Sequence, residues 1–223
     1  MEIAPNVHQL QLGFVNAYLI VDADGLTLID TGMPGSNKKI LEYVSSLGKV
    51  PADLKRIILT HSDLDHIGGL AALKTATNAR TYASTIEADG IARGKSTRPP
   101  KGRSLRRLLL TLLRPMVKAR PVNVDEKLND GQSLPVLGGL RVVDTSGHTP
   151  GHISLFSPSA KILFGGDSMR AVDDRLVPSP PAITWDETKM RQSVKRQAAL
   201  GAEIVCVGHG PVIKDAVNKF PRL

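Results

Sequence analysis

Apolar runs of four or five residues, broken by Gly, Asp, Asn and Ser, recur along the chain, and between them lie stretches whose apolar positions follow a helical period. Ala17 to Val21 and Leu26 to Ile29 are two such runs, joined by Asp22-Ala23-Asp24-Gly25. The Asp-Gly pair suits the positive φ angles of a tight turn, so the two runs predict an antiparallel hairpin. Ser36-Asn37 stands before a helical pattern through Ile40, Leu41, Val44 and Leu47, which Gly48 ends. Arg56 to Thr60 predicts another short strand, and Gly69 to Lys74 the start of a second helix. The second half repeats this grammar, with strands at Arg141 to Asp144, Ile153 to Phe156, Lys161 to Phe164 and Ile204 to Val207, and a long helix over Asp186 to Leu200. Strands that are partly hairpin-linked and partly separated by helices predict an α/β sandwich with mixed sheets. No fixed period appears, which excludes solenoids and propellers.

Residues 90–121 interrupt the pattern. Leu105, Leu108, Leu109, Leu112, Leu113 and Met116 fall on one helical face, with Arg103, Arg106 and Arg107 off it. Pro99-Pro100 precedes this stretch and Pro115 limits or kinks it. It reads as a basic amphipathic helical insertion within one domain spanning residues 1–223. The formal net charge of +8 also belongs here. Ten Lys or Arg and no Asp or Glu lie between Arg93 and Arg120, and the remainder of the chain has 19 basic against 21 acidic residues. The basicity is therefore local, and it changes the reading of the insertion rather than of the whole protein.

At 223 residues and 41% hydrophobic the chain can bury a sizeable core, which excludes disorder. The one cysteine, Cys206, can form neither an internal disulfide nor a Cys-rich zinc site. Its apolar strand makes it a small core residue. Met1 to Asn6 has neither a basic nor an apolar leader region, and no run of about 18 apolar residues occurs. The expectation is a cytoplasmic protein without stable membrane insertion.

The chemistry concentrates in a few places. His61-Ser62-Asp63-Leu64-Asp65-His66 follows the predicted strand Arg56 to Thr60 and puts four metal-ligand side chains into six residues. Three more ligand-type side chains follow apolar strands and stand next to Gly. They are His148 in Gly147-His148-Thr149-Pro150-Gly151-His152, Asp167 after Gly165-Gly166, and His209 in Gly208-His209-Gly210. Strand ends on one rim of a sandwich can build one site.

This ordered set, with Leu28-Ile29-Asp30-Thr31-Gly32 ahead of it, resembles the metallo-β-lactamase superfamily over residues 28–210. The resemblance implies a four-layer αββα sandwich with mixed sheets that binds two divalent metal ions. By position, His61, Asp63 and His148 would hold the first ion, Asp65, His66 and His209 the second, and Asp167 would bridge. Asp30 and His152 match positions that support the ligands without binding metal. The chain departs from the family at Asp63, where His is most common. Three carboxylates and a bridging hydroxide neutralise two divalent ions, whereas His at position 63 would leave the centre cationic. An added hard oxygen ligand moves preference from zinc toward iron or manganese, so zinc is expected with iron or manganese as competitors.

The resemblance implies a hydrolase in which a metal-held hydroxide attacks a carbonyl, with Asp65 orienting it or returning a proton to the leaving group. Only 14 residues follow His209, so the C-terminal domains of glyoxalase II and flavodiiron relatives are expected to be missing, and at 223 residues the chain is expected to be too short for the extra domain of β-CASP relatives. With no leader and with Asp167 in place of a thiolate, the expected substrate is an ester, lactone or thioester rather than a β-lactam. The insertion would be the lid. Its Leu105, Leu108, Leu109 and Leu112 would wall an acyl cleft, and its Arg and Lys would meet an anionic group of a small-molecule substrate or face water.

Two alternatives stand beside this reading. In one, the basic segment binds a nucleic-acid backbone or an anionic membrane, in a phosphodiesterase or a membrane-associated member; the absence of aromatics from residues 83–155 argues against base stacking. In the other, the chain is an iron-dependent thiol dioxygenase. The oligomeric state is left open.

Overall fold

The computed structural model describes residues 1–99 and 118–223, so the apolar stripe of the insertion, Leu105, Leu108, Leu109 and Leu112, lies outside the described residues. Among the described residues two mixed sheets face each other, with helices on both outer faces. The first sheet has seven strands in sequence order, β1 (Glu2–Ala4), β2 (Val7–Gln11), β3 (Asn16–Asp22), β4 (Gly25–Ile29), β5 (Leu54–Ile58), β6 (Arg80–Ser84) and β7 (Glu126–Leu128). Pairing is antiparallel from β1 to β4 and parallel from β4 to β7. The predicted hairpin is β3 and β4, in register from Tyr18 opposite Ile29 to Asp22 opposite Gly25.

The second sheet has six strands. β8 (Ser133–Leu134), β9 (Leu140–Asp144), β10 (Ile153–Ser157) and β11 (Ile162–Gly166) run antiparallel in that spatial order. Beyond β11 the chain returns to the same sheet as β14 (Ile204–Val207), parallel to β11, and β15 (Ile213–Lys214) closes the edge. Between them β12 (Met169–Val172) and β13 (Arg175–Pro178) form a separate ribbon.

The helices are α1 (Asn37–Ser46), α2 (Leu64–Ile67), α3 (Leu70–Thr77), α4 (Thr85–Ala92) and α5 (Glu187–Ala198). Three apolar clusters lie between the layers. Ile40 and Val44 of α1 and Leu70 and Leu73 of α3 pack on Ala17, Leu19, Leu28 and Ile57. Tyr18, Ile20 and Ile58 turn to the other face and meet Leu155, Phe164 and Cys206 between the sheets. Met190 and Val194 of α5 cover Phe156, Leu163, Val205 and Val207 on the far side. Successive residues of β3 and β11 thus feed different clusters, as the period-two geometry of a strand requires. This explains why these strands read as unbroken apolar runs: both of their faces are buried. A fully buried Leu or Ile stabilises by about 1.5–3 kcal/mol, so the central strands are the most strongly held part of the molecule.

Boundaries differ slightly from the pattern reading. α1 stops at Ser46, and Gly48, with φ of +71°, takes the left-handed turn after it. Asp186 lies outside α5, where its side chain accepts the Lys189 amide and caps the helix. The pattern does not predict strands β1, β2, β6, β7, β8, β12, β13 and β15 or helices α2 and α4, and α2 puts Asp65 and His66 on a helical turn rather than a loop. Most are edge or ribbon strands of two to five residues with mixed polarity.

Candidate metal centre

The ligand-type residues leave the carboxyl ends of strands from both sheets. Asp30 follows β4, the segment from Thr60 to His66 follows β5, His148 lies between β9 and β10, Asp167 follows β11 and His209 follows β14. The parallel pairs β4–β5 and β11–β14 bring these ends to one rim, the place where open α/β sheets bind ligands.

On that rim the predicted residues converge. His61, Asp63 and His148 form one group with ligand atoms within 4.8 Å of one another, and Asp65, His66 and His209 form a second. Asp167 lies between them, with Oδ1 3.4 Å from His66 Nε2 and Oδ2 3.1 Å from His209 Nε2 and 3.7 Å from His148 Nε2. These distances allow Asp167 to reach both groups.

Hydrogen bonds fix which ring nitrogens face inward. His66 Nδ1 donates to Asp30 Oδ2 at 2.8 Å, so its Nε2 faces the centre and would offer its lone pair there to a metal ion in exchange for a proton. Thr60 donates its hydroxyl to the same oxygen at 2.8 Å and its amide to Asp30 Oδ1 at 2.9 Å. With its proton committed, the Thr60 hydroxyl accepts from His61 Nδ1 at 3.0 Å, and His61 Nε2 also turns inward. His209 Nδ1 donates to the Phe14 carbonyl at 2.9 Å, and its ring stacks on Phe14.

Asp30 sits at φ +60°, a left-handed position that Asp and Asn adopt more readily than other non-glycine residues. His152 binds no ligand group. Its Nε2 accepts the Asp167 amide at 3.0 Å while Nδ1 lies 2.8 Å from Thr145 Oγ1, so it holds the Asp167 backbone. Asp30 and His152 thus act through the groups they orient.

Five buried polar atoms lack a hydrogen-bond partner in the described structure: His61 Nε2, Asp63 Oδ1, His66 Nε2, His148 Nδ1 and Asp167 Oδ1. An unpaired buried polar atom costs about 1–3 kcal/mol, and all five lie in one cluster. A divalent cation would satisfy most of them, so the donor set fits the metal that the resemblance implies.

The electrostatics agree. Burial pushes the Asp167 carboxyl up, but the charge of His66 and the bond from His209 outweigh it and hold it well below the usual range. Burial would lower His66, yet Asp167 and Asp30 raise it well above its ordinary value. Burial also works against protonation of His209, but bonds to Asp167 and Asp65 push it up to about 10. His61 is lowered well below its ordinary value by burial, with the neighbouring His66 adding to it. His152 is brought down to about 3, chiefly by burial and then by His148, and is neutral as its bonds require. The carboxylates thus draw positive charge onto His66 and His209, while His61 and His152 stay neutral.

Glycines leave room for this packing. A Cβ on Gly208 would collide with Asp167 Oδ1 and lie 2.8 Å from His66 Cε1. One on Gly166, at φ +53°, would lie 2.6 Å from His152 Nε2.

Three supporting side chains escaped the sequence reading. Glu87, in the first turn of α4, is fully buried. Its Oε2 accepts the Ser62 amide at 2.9 Å and the Ser62 hydroxyl. Its Oε1 accepts the hydroxyls of Thr97 and Thr149 at 2.7 Å each and the Gly151 amide at 3.0 Å. One carboxylate therefore joins the His61–His66 loop to the loop of His148. Asn16 donates to the Val207 carbonyl at 3.0 Å and to that of Gly210 at 2.8 Å, clamping the His209 loop. Arg98, at the root of the basic insertion, donates to Asp63 Oδ2 and the Ile183 carbonyl and lies 3.2 Å from His148 Nε2. Polar and charged residues are common enough that no spacing singled these out.

The fold and the rim together define a sandwich metallo-hydrolase class. The chain belongs to the metallo-β-lactamase superfamily, whose family model matches residues 10–209. The probable metallo-hydrolase YflN of Bacillus subtilis (strain 168) is 30% identical over 226 residues, covering 94% of this chain and 85% of that protein. A hydroxyacylglutathione hydrolase of Cereibacter sphaeroides is 28% identical over 159 residues, 70% of this chain, which spans only 48% of that enzyme's length. Among solved structures, TTHA1623 in a di-iron-bound form superposes with a TM-score of 0.73 at 25% identity, covering 97% of this chain and all of that one. No helix among the described residues is long and apolar enough to cross a membrane.

Proposed function

We propose that this chain is a binuclear metal-dependent hydrolase of carboxylic esters, lactones or thioesters. His61, Asp63 and His148 would hold one divalent ion and Asp65, His66 and His209 the other, with Asp167 within reach of both groups. The observation that carries this reading is the convergence of seven ligand side chains around a cluster of unpaired buried atoms. Two ions bound there supply Lewis acidity and a water acidic enough to attack a carbonyl at neutral pH.

The chain's own residues do the rest. Asp30 and Thr60 keep His66 and His61 in the tautomer that presents Nε2, and His152 holds the Asp167 backbone. Asp65 Oδ2 lies 3.4 Å from His209 Nε2 and 3.9 Å from His66 Nε2, and at 21% side-chain exposure it is the carboxylate most open to solvent on the rim. In this reading Asp65 orients the attacking water, takes its proton and returns it to the leaving group. No serine or cysteine nucleophile is needed; the Cys206 thiol is pushed well up by burial and lies between the sheets.

The similarity to hydroxyacylglutathione hydrolase supports a thioester among the candidate substrates, and the likeness to a di-iron structure keeps iron beside zinc as the resident metal. The test is a hydrolysis panel of lactones, thioesters, aryl esters, β-lactams and phosphodiesters with zinc- and iron-reconstituted protein, and His66→Ala as the blank. Turnover of an ester, lactone or thioester that vanishes in the blank is expected. Cleavage confined to phosphodiesters, or none in either metal form, overturns the reading.

A further inference from the structure

Arg98 stands where the first group of ligands would meet its ion. Its guanidinium pairs with Asp63 Oδ2 and lies 3.2 Å from His148 Nε2, on two of the three residues of that group. The pair is largely shielded, with side-chain exposures of 21% for Arg98 and 11% for Asp63.

The arm is anchored at its base. The Thr97 amide donates to Ser62 Oγ at 3.0 Å and the Thr97 hydroxyl to Glu87 at 2.7 Å, so the residue before Arg98 is tied to the same loop that carries Asp63. A third contact, from Nη1 to the Ile183 carbonyl, also seats the guanidinium. No arginine or lysine among the described residues contacts Asp65, His66, His209 or Asp167 in this way.

Asp63 and Arg98 also make sense of each other. A histidine at position 63, the residue most common in the family, would offer the guanidinium no negative charge. The carboxylate there gives it a charge-assisted partner. His148 Nε2 has one lone pair, so a guanidinium donating to it excludes a divalent ion there, and an ion drawn to the unpaired Asp63 Oδ1 would meet the guanidinium charge at short range.

We propose that Arg98 is an internal rival of the metal at the His61, Asp63 and His148 group, so that the Asp65, His66 and His209 group fills first and tightly and the Arg98 group fills second and weakly. The inference rests on the metal-centre reading above. A site whose competent state must first expel a resident cation loses apparent affinity in proportion to how rarely that state is populated.

Zinc titration by calorimetry, with cobalt spectra to follow each step, tests it. Wild-type protein is expected to take one ion tightly and a second about tenfold or more weakly, given that population cost. Arg98→Met should tighten the weak step by about the same factor and leave the tight step unchanged, while Arg98→Lys, which keeps a charge, should recover less. Adding Asp63→Asn to Arg98→Met should remove the tightened step and so assign it. Two equally tight ions in wild-type protein overturn the proposal whether or not any variant folds. So does an Arg98→Met protein of native circular dichroism whose two steps match wild type. Hydrolysis of the ester panel by a protein with two equal sites would sink the Arg98 inference and leave the proposed function standing. Stepwise, Arg98-dependent binding without hydrolysis would do the reverse.

Discussion

Asp30 Oδ2 accepts the Nδ1 proton of His66 at 2.8 Å, and through Thr60 the same carboxylate sets the tautomer of His61. One side chain outside the ligand groups thus aims a histidine of each. Asp30→Asn keeps the size, and Asn accepts the left-handed φ of +60° as Asp does, so the backbone is not the variable. The substitution removes the charge that holds the His66 proton and offers an amide N–H in its place. Zinc affinity of the His66 group is expected to fall about 10–100-fold, the usual loss when a ligand's supporting partner is changed. Calorimetric titration reads this directly, and affinity equal to wild type would show that Asp30 does not position His66.

Glu87 is the second organiser, and its role is mechanical. It receives two donors from Ser62 and one each from Thr97, Thr149 and Gly151. Glu87→Gln keeps the volume but turns one acceptor end into a donor that faces other donors. Leaving buried donors unpaired costs about 1–3 kcal/mol, so the urea midpoint should fall by a corresponding amount. The loops of His61–His66 and His148 should loosen together, lowering kcat over KM more than a surface substitution of equal stability cost. A melt unchanged from wild type would mean that Ser62 and Thr149 hold themselves in place.

The difference between what could and could not be read from the chain follows from distance along it. His61, Asp63, Asp65 and His66 crowd into six residues, and His148, Asp167 and His209 each stand beside glycine at a strand end, so local pattern revealed them. Asn16 reaches the Gly210 carbonyl across a separation of 194 residues and Glu87 reaches Gly151 across 64, and nothing local marks either. Arg98 was legible only as one of ten basic residues; its pairing with Asp63 is a product of the fold. The central strands β3, β4, β10, β11 and β14 announced themselves because both faces are buried. β6, reading Arg80-Thr81-Tyr82-Ala83-Ser84, and the three-residue β7 did not, since mixed composition and short length blur the alternation.

Asp125 offers a test of the scaffold apart from the centre. Its carboxylate accepts from Lys74 Nζ at 2.7 Å and from the Thr81 amide and hydroxyl at 2.8 and 2.7 Å, tying the chain that enters β7 to α3 and β6. Burial raises its pKa, but the bonds from Lys74 and Thr81 outweigh that and lower it below the ordinary carboxylate value. A folded pKa below the unfolded one means that its contribution is present above about pH 4 and is lost as pH falls through the folded value. Asp125→Asn should therefore destabilise at pH 7 by about 1 kcal/mol or less, since the pair is partly screened. The gap to wild type should narrow at pH 3, with metal stoichiometry unchanged at pH 7. A gap that widens toward acid would show that the carboxylate is not held ionised by Lys74 and Thr81.

Two glycines separate crowding at the centre from crowding in the core. A Cβ on Gly208 would strike the Asp167 carboxylate and press on His66, and neither can retreat, because His152 holds the Asp167 backbone and Asp30 holds the His66 ring. A Cβ on Gly165, in β11, would meet its nearest neighbour, Ser168 Oγ, at 3.7 Å, an ordinary contact. Gly165 also lies outside the positive-φ positions, so alanine there carries no backbone strain. Gly208→Ala should then lose metal binding and hydrolysis while its circular dichroism stays native, because the collision falls on ligands rather than on the apolar clusters. Gly165→Ala should keep both within about twofold, as expected of a conservative change without strain. The pair is decided by metal content after gel filtration. Full zinc occupancy in Gly208→Ala would mean that Asp167 and His66 do not need the positions they hold here, and the centre would have to be drawn from other side chains.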